Sequence, residues 1–416
     1  MILSVIVKHM ALRTGIMFLV KLIGFFARIS LFRLLGSEGI GLYQMAYSVY
    51  GLILMVISGG FPTALALTTA NSKALGWLLF KRFTILLLLF GGFFGFYSYI
   101  LSPRIALLLG DKQLEFAIRS ITPAIAIVPF LSLLRGYLQG IEYHGAIAVS
   151  ELIEQIGRVV IMITLVTVWL EQGLAYAVGG AVLGPFAGAL LALVFLLGVL
   201  ATSPLPPKNP VSRHYQPKPS SDPVMLLFLN TSLSISATRL LMPISDFLEA
   251  LIIPNRLQAS GLSVSEATSI FGEISGIAPT VIYMPSLVTS ALSFTLATKL
   301  TSDWELGRNG QFHRRSQLAL EIGYLWGIGS VLFLFLYASE LSILMFSTDS
   351  LASAIRFMCL ALLFDGLRDI STVVLWAAGY KNEPLIGQII GIIGSTSFIF
   401  FLQAFLVSDM QGRQSG

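Results

Sequence analysis

A glycine-rich stretch over residues 35–65, LGSEGIGLYQMAYSVYGLILMVISGGFPTAL, constrains this chain more than any other part of the sequence. It joins one long apolar segment to the next through a tight turn, and the second segment is interrupted by Gly59, Gly60 and Pro62. Glycine and proline interrupt a helix and leave backbone groups without helical hydrogen bonds. Such groups are tolerated inside a membrane only where they line a protein cavity. The stretch therefore predicts a bent membrane helix of the kind found in transporters.

The composition places most of the chain in a membrane. Of its 416 residues, 56% are hydrophobic and 11% are charged, whereas soluble domains carry roughly 25% charged residues. Apolar segments of the length that a spanning helix needs, about 20 residues, occur eleven times. They are residues 12–35, 41–69, 83–103, 117–139, 145–170, 172–201, 224–253, 270–298, 318–338, 351–379 and 384–407. We expect an all-α polytopic membrane protein.

A polar stretch rich in Pro, Ser and basic residues separates two halves of the chain. It covers residues 202–223, TSPLPPKNPVSRHYQPKPSSDP, and predicts a cytoplasmic linker between an N-lobe of six helices (1–201) and a C-lobe of five or six (224–416). The halves also resemble each other: PTALA at Pro62 matches PSLVTSA at Pro285. Two pseudo-symmetric helical bundles follow from this repeat.

The distribution of charge predicts the orientation. Lys and Arg concentrate in loops on the side of the N-terminus, which favours a multi-pass protein of the plasma membrane with a cytoplasmic N-terminus and a first span that is not cleaved. This bias also accounts for the net charge of +5, so we expect no nucleic-acid partner.

Cysteine and histidine usage gives no sign of a metal site or a disulfide. Cys359 is the single cysteine, and the four histidines lie in different segments. The loops are short, and neither a D-x-D motif nor a Ser/His/Asp or Cys/His set at one depth is present. We expect no enzyme and no cofactor, with coupling to Na⁺ or H⁺ left open.

The 35–65 stretch and three others carry a family resemblance. These are LLRGYLQGIEYHGAIAVSELIEQIGRVV (133–160), IIPNRLQASGLSVSEATSIFGEISGIA (252–278) and MPSLVTSALSFTLATKL (284–300). Over nearly its whole length the chain resembles the polysaccharide transport family of the multidrug/oligosaccharidyl-lipid/polysaccharide exporter superfamily, in the branch of stage V sporulation protein B and related to the lipid II flippase. The resemblance implies two six-helix bundles in a V that opens alternately to each side, with a lipid-linked saccharide as cargo. The family has at least twelve spans, one more than the segments found here.

Basic residues within the spans are the candidate substrate-binding residues. Lys21 and Arg28 are seven residues apart in the first segment, within about 20° on one helix face, and would suit a pyrophosphate. The resemblance implies cavity arginines in this region. The alternative is that both snorkel or pair with carboxylates of another helix. Arg239 in the seventh segment is the third candidate, and its alternative is a pair with Asp246 or Glu249.

Acidic residues at the same depth are candidates for ion coupling. Asp246, Asp365 and Asp369 could each take up a proton or Na⁺. Asp365 and Asp369 flank Arg368. These three residues also fit a structural element in which opposite charges compensate each other, with one negative charge left over.

Other patterns predict packing and bending. Glu154 and Arg158 form an i, i+4 pair, Arg135 is predicted to anchor at the membrane interface, and the residues Gly59, Gly60, Pro62 and Pro285 are predicted hinges. Two sets of G-x-x-x-G glycines predict close helix packing. They are Gly180, Gly184 and Gly188 in the sixth segment, and Gly387 and Gly391 in the last.

The sequence thus favours a flippase that carries a polyprenyl-pyrophosphate-linked saccharide, such as a cell-wall or spore-cortex precursor, to the outer leaflet. Its expected partners are this substrate and membrane lipids, with the protein acting as a monomer. A cation-coupled multidrug antiporter and a transport-inactive scaffold remain as alternatives. The basic first segment argues against the antiporter, because cationic drugs need carboxylates in the cavity.

Overall fold

The computed structural model describes the backbone of residues 2–202, 222–380 and 382–414. Side chains are described from residue 15 onward, except at 17, 203–224, 294, 298, 381 and 401–416. Every regular element in these ranges is a helix, which confirms the predicted all-α class. The predicted linker lies almost entirely outside the described residues.

The first compact unit comprises Met1–Leu35 and Leu42–Thr268. The first helix of the chain turns sharply at Gly36, a residue of the second unit whose φ of 67° favours glycine. A second break, at Gly59 and Gly60, separates that helix from a short one. The helices are α1 (Ile2–Ser58), α2 (Phe61–Asn71), α3 (Lys73–Leu108), α4 (Leu114–Gly140), α5 (His144–Trp169), α6 (Leu174–Thr202), α7 (Asp222–Ala259) and most of α8 (Val264–Phe271).

The second compact unit comprises Gly36–Gly41 and Ser269–Gly416. A π-helical turn over Gly272–Ile277 follows α8, and the helices on either side of Pro285 are bent by 59°. The helices are α9 (Ala278–Ile282), α10 (Ser286–Glu305), α11 (Asn309–Leu336), α12 (Ala338–Phe346), α13 (Leu351–Met358), α14 (Leu360–Ala377) and α15 (Asn382–Gln414). In this division α7 belongs with the N-terminal helices, and the lobe boundaries drawn from the sequence stay a prediction.

The helices are long and apolar enough for a multi-pass membrane protein. Among the described residues, eight helical stretches could cross a membrane, or nine if the bent pair Val264–Ile282 and Ser286–Glu305 is one span. One of them, Phe18–Asn71, includes residues 18–35 of the first predicted segment and all of the second. All eleven predicted segments lie on helices, whereas the number of spans stays a prediction.

Glycines set the closest helix contacts of the first unit. Gly184 and Gly188 of α6 approach the backbone of α5 so closely that a Cβ would lie 2.9 Å from the Arg158 carbonyl oxygen and 2.4 Å from that of Glu154. The predicted close packing of the sixth segment is confirmed. At Gly387 and Gly391 of α15 a Cβ would meet no atom within 4 Å, so for these two the same prediction was wrong in the described structure.

Helix α2 is held against α4 by the same means. A Cβ on Gly136 would lie 2.3 Å from the Pro62 carbonyl oxygen, and one on Gly140 would lie 2.6 Å from that of Ala66. The short helix that follows the Gly59–Gly60 break is therefore fixed along its length by a glycine face of α4.

Candidate functional site

The break before α2 is stabilised by polar groups of α7. Arg239 donates from Nη1 to the Gly59 carbonyl oxygen at 3.0 Å, and the Gly60 amide donates to Ser236 Oγ at 2.8 Å. Ser232 of the same face lies so close that a Cβ on Gly60 would be 1.9 Å from its carbonyl oxygen. Residues 232, 236 and 239 share one helix face, which supplies the hydrogen bonds that the break removes from the helix.

This arrangement gives Arg239 a structural contact. Among the described residues no ion pair joins it to Asp246 or Glu249, so the alternative predicted for it is not seen. Its proposed role in substrate binding stays a prediction. The sequence did not single out Ser236, although its position three residues before Arg239 was a usable signal.

The first-helix cations lie on a face of α1 that meets α5. Arg28 is half-buried and donates from Nη2 to Gln44 Oε1 at 3.1 Å, whereas Lys21 is exposed. Between them, a Cβ on Gly24 would lie 3.1 Å from Gln155 Nε2 of α5. Since residues 21, 24 and 28 lie on one side of the helix, the two cations flank the point at which α1 meets α5.

On α5, one carboxylate is shared by two arginines. Glu154 accepts from Arg135 Nη1 at 2.7 Å and from Arg158 Nη2, and Arg135 Nε also donates to Ser150 Oγ at 3.0 Å. The side chains of Arg135 and Glu154 are only 19% and 14% exposed. The predicted Glu154–Arg158 pair is confirmed. Arg135 also bonds this carboxylate, a contact that the sequence did not predict, and its anchoring at the membrane interface stays a prediction.

The cluster retains unused donors. Arg135 Nη2 and Arg158 Nε are buried without a hydrogen-bond partner. The Arg158 guanidinium interacts electrostatically with the phenols of Tyr43, Tyr47 and Tyr50, which lie within two helical turns of Gln44. A buried donor left unpaired costs about 1–3 kcal/mol, so this polar cluster (Arg135, Glu154, Arg158 and the three tyrosines) is suited to accept an anion.

The candidate ion-coupling residues lie in both units. Arg368 pairs with Asp365 at 2.6 Å and with Asp369 at 3.3 Å, as the sequence predicted for this trio. Asp246 is exposed on α7 in the first unit. Among the described residues no group of three or more His, Cys, Asp or Glu side chains could hold a metal ion. Coupling to an ion stays a prediction.

The two predicted proline hinges occupy equivalent places in their helices. Pro62 lies in the first turn of α2, directly after the Gly59–Gly60 break. Pro285 precedes the first residue of α10, and its carbonyl oxygen accepts from Trp326 Nε1 at 3.0 Å. Each begins a helix rather than kinking one, because proline lacks an amide hydrogen and fits the first turn. Bending there stays a prediction.

Comparison with known proteins identifies the family. The family model described as polysaccharide biosynthesis protein matches residues 6–257, more than half of the chain. The chain belongs to this family. Stage V sporulation protein B of Bacillus subtilis (strain 168) is 28% identical over 392 residues, 92% of this chain and 74% of that protein. The lipid II flippase MurJ of the same organism is 31% identical over 180 residues, 39% of this chain and 33% of that protein.

Solved structures show the fold. An inward-facing multidrug resistance MATE family transporter of the MOP superfamily matches with a TM-score of 0.64 at 15% identity, over 94% of this chain and 96% of that one. A MATE protein in complex with MaD3S matches with a TM-score of 0.57 at 15% identity, over 97% and 96%. This member of the polysaccharide biosynthesis family therefore has the fold of MATE transporters.

Proposed function

We propose that this protein moves a polyprenyl-pyrophosphate-linked saccharide, such as a cell-wall or spore-cortex precursor, from the inner to the outer leaflet by alternating access. Membership of the polysaccharide biosynthesis family and similarity to MurJ, named a lipid II flippase, support a lipid-linked saccharide as cargo. The transporter fold supports movement rather than chemistry.

One observation carries the proposal in the structure itself. In the polar cluster two guanidinium groups share one carboxylate and keep two buried N–H donors without a partner. Charged groups within a membrane are costly unless they serve a partner, and guanidinium groups bind phosphate oxygens in a bidentate manner. A pyrophosphate head group supplies the oxygens that these donors lack.

Arg28 extends the cationic surface onto α1. Arg28 donates to Gln44, which lies in the same part of α1 as the three tyrosines. The side of α1 that carries Arg28 meets α5 at Gln155. A head group held by Arg158 would lie beside the three tyrosines of α1, and Arg28 and Lys21 on the same helix would interact with its remaining charge.

The test is flipping in proteoliposomes with fluorescent lipid II and other polyprenyl-linked glycans. We expect Arg28→Ala to slow flipping by roughly 10- to 100-fold, since hydrogen bonds to charged groups contribute about 1.5–3 kcal/mol. Arg33→Ala is the matched control, because Arg33 is exposed and about 140° around the same helix. Flipping that persists in Arg28→Ala at normal incorporation would remove Arg28 from the site.

The antiporter alternative is examined in the same liposomes. The excess negative charge of Asp365 and Asp369 over Arg368 would favour a cationic drug. Drug efflux driven by a Na⁺ or H⁺ gradient and lost in Asp365→Asn, without flipping of any glycolipid, would replace the flippase by an antiporter. A folded protein that transports neither would indicate a scaffold.

A further inference from the structure

The turn between α10 and α11, in the second unit, carries an excess of basic side chains. Residues 299–315 contain four Lys or Arg and two Asp or Glu side chains, so the segment has a net charge of +2. One of the four cations, Arg315, is paired with Asp303. The other three are exposed, and within the described part of the chain their side chains have no hydrogen bond or ion pair. They are Lys299, Arg308 and Arg314.

The turn is held in one conformation by Asp303, which is buried at the end of α10. Its carboxylate accepts from Arg315 Nη1, and its carbonyl oxygen accepts from the Arg308 amide at 2.8 Å. Gly307 has φ 68°, the left-handed conformation with which glycine commonly ends a helix. The exposed cations therefore lie on a folded turn whose geometry is set before any ligand binds.

The three exposed cations are arranged around this buried carboxylate. Lys299 lies one helical turn before Asp303 on the same face of α10, and Arg308 directly precedes the first residue of α11. Arg314 lies in the second turn of α11, next to the arginine that Asp303 holds. Since guanidinium groups bind phosphate oxygens in a bidentate manner, the turn is complementary to a phosphate group.

The same turn carries large apolar side chains that are exposed. Trp304 and Leu306 are exposed, although the indole also packs on Phe312 with ring centroids 5.0 Å apart. Further along α11, from Leu318 to Leu336, the exposed side chains become largely apolar. Tryptophan is enriched at the membrane–water interface, and a change from basic to apolar exposed residues indicates where a helix enters the hydrocarbon. The turn therefore lies at the level of the lipid headgroups.

We propose that the turn between α10 and α11 binds the headgroup of an anionic phospholipid in the leaflet that it faces. The lipid phosphate would accept hydrogen bonds from Arg308 and Arg314, and Lys299 would add to the attraction. Trp304 and Leu306 would lie beside the upper part of the acyl chains, a contact that a soluble phosphate cannot make. A bound headgroup would hold the adjoining ends of α10 and α11 at the membrane surface, whatever cargo the protein moves.

The experiment is titration of the full chain in neutral detergent with phosphatidylglycerol and with phosphatidylcholine, with the bound lipids resolved by native mass spectrometry. We expect the wild type to prefer phosphatidylglycerol. Arg308→Gln should lower the affinity for this lipid by roughly 5-fold, and the double variant Arg308→Gln, Arg314→Gln by roughly 25-fold, since each cation near a membrane surface contributes about equally. The affinity for phosphatidylcholine should not change.

Two further variants serve as controls. Arg356→Gln removes an exposed arginine of α13, which follows the opposite end of α11, and should change neither affinity. Glu305→Gln removes an exposed carboxylate next to the cations and should strengthen the binding of phosphatidylglycerol. The thermal midpoint of the double variant should equal that of the wild type, because neither arginine has a side-chain partner within the described part of the chain.

Three results would overturn the lipid site. The first is equal affinity of the wild type for the two lipids, or an unchanged affinity for phosphatidylglycerol in the double variant. The second is a loss in Arg356→Gln as large as that in Arg308→Gln, because any exposed arginine would then serve. The third is displacement of phosphatidylglycerol by an equal concentration of inorganic phosphate, which would indicate a soluble phosphate as the occupant.

Discussion

The substitution Gly60→Ala tests whether the break before α2 depends on its fit to α7. Gly60 has φ −103° and ψ −19°, a backbone conformation that alanine adopts without strain. Glycine is needed there for space alone. An added Cβ would lie 1.9 Å from the Ser232 carbonyl oxygen and 2.9 Å from the Ser236 amide nitrogen, and neither backbone atom can rotate away.

The magnitude follows from that contact. Ordinary contact begins at 3.4 Å, so α7 would have to withdraw by about 1.5 Å. Overpacking of this kind costs about 1–3 kcal/mol. The withdrawal also weakens the hydrogen bonds of Ser236 and Arg239 to the break, each contributing about 0.5–1.5 kcal/mol. Alanine also lowers the conformational entropy of the unfolded chain, which offsets about 0.4–1 kcal/mol, so we expect a net loss of roughly 3 kcal/mol.

The assay is the thermal midpoint of purified protein in detergent, followed by flipping in proteoliposomes. At about 2–4 °C per kcal/mol, the midpoint should fall by roughly 6–12 °C. Gly51→Ala is the control, because a Cβ on Gly51 of α1 would meet no atom within 4 Å and its midpoint should stay or rise. A Gly60→Ala protein as stable as the Gly51→Ala protein would refute the reasoning, since α7 would then not be seated on the break.

Two further predictions concern the polar cluster and the helix packing beside it. Glu154→Gln leaves two partly buried guanidinium groups without their shared carboxylate and should lower the free energy of unfolding by about 3–5 kcal/mol. The control is Glu171→Gln, at an exposed position, which should change the free energy of unfolding by less than about 0.5 kcal/mol. Gly188→Ala places a Cβ 2.4 Å from the Glu154 carbonyl oxygen and should cost about 1–3 kcal/mol in the same thermal assay. Gly198→Ala in the same helix, where a Cβ would meet no atom within 4 Å, should be neutral or stabilising; equal midpoints for the two variants would contradict the close approach of α5 and α6.

Local pattern explains which parts of the site could be predicted. The breaks at Gly59–Gly60 and Pro285 were predicted correctly as positions, because glycine and proline act on the backbone wherever the rest of the chain lies. The pairing of Glu154 with Arg158 was predictable for the same reason, since i, i+4 neighbours on a helix are close. The contact of Arg135 with Glu154 was missed, because it joins two helices and depends on how α4 and α5 cross.

The two units also share a feature that only contacts reveal. In each, a helix that begins beside a proline packs against a glycine of a later helix. Helix α2 packs on Gly136 and α10 packs on Gly366, where a Cβ would lie 3.2 Å from Thr289. The sequence repeat at Pro62 and Pro285 predicted corresponding elements, but the glycine that each of them packs against lies 74 and 81 residues further along the chain, respectively.

The sequence by itself determined the membrane environment, the helical class, the positions of the breaks and the family, because these depend on composition and on short-range backbone chemistry. Only the tertiary structure decided which groups satisfy the backbone of the break and which cations share one carboxylate. These depend on contacts between helices distant in the chain, as between Gly59 and Arg239. The glycine-rich stretch thus required a partner that could supply hydrogen bonds, and the fold provided that partner in α7.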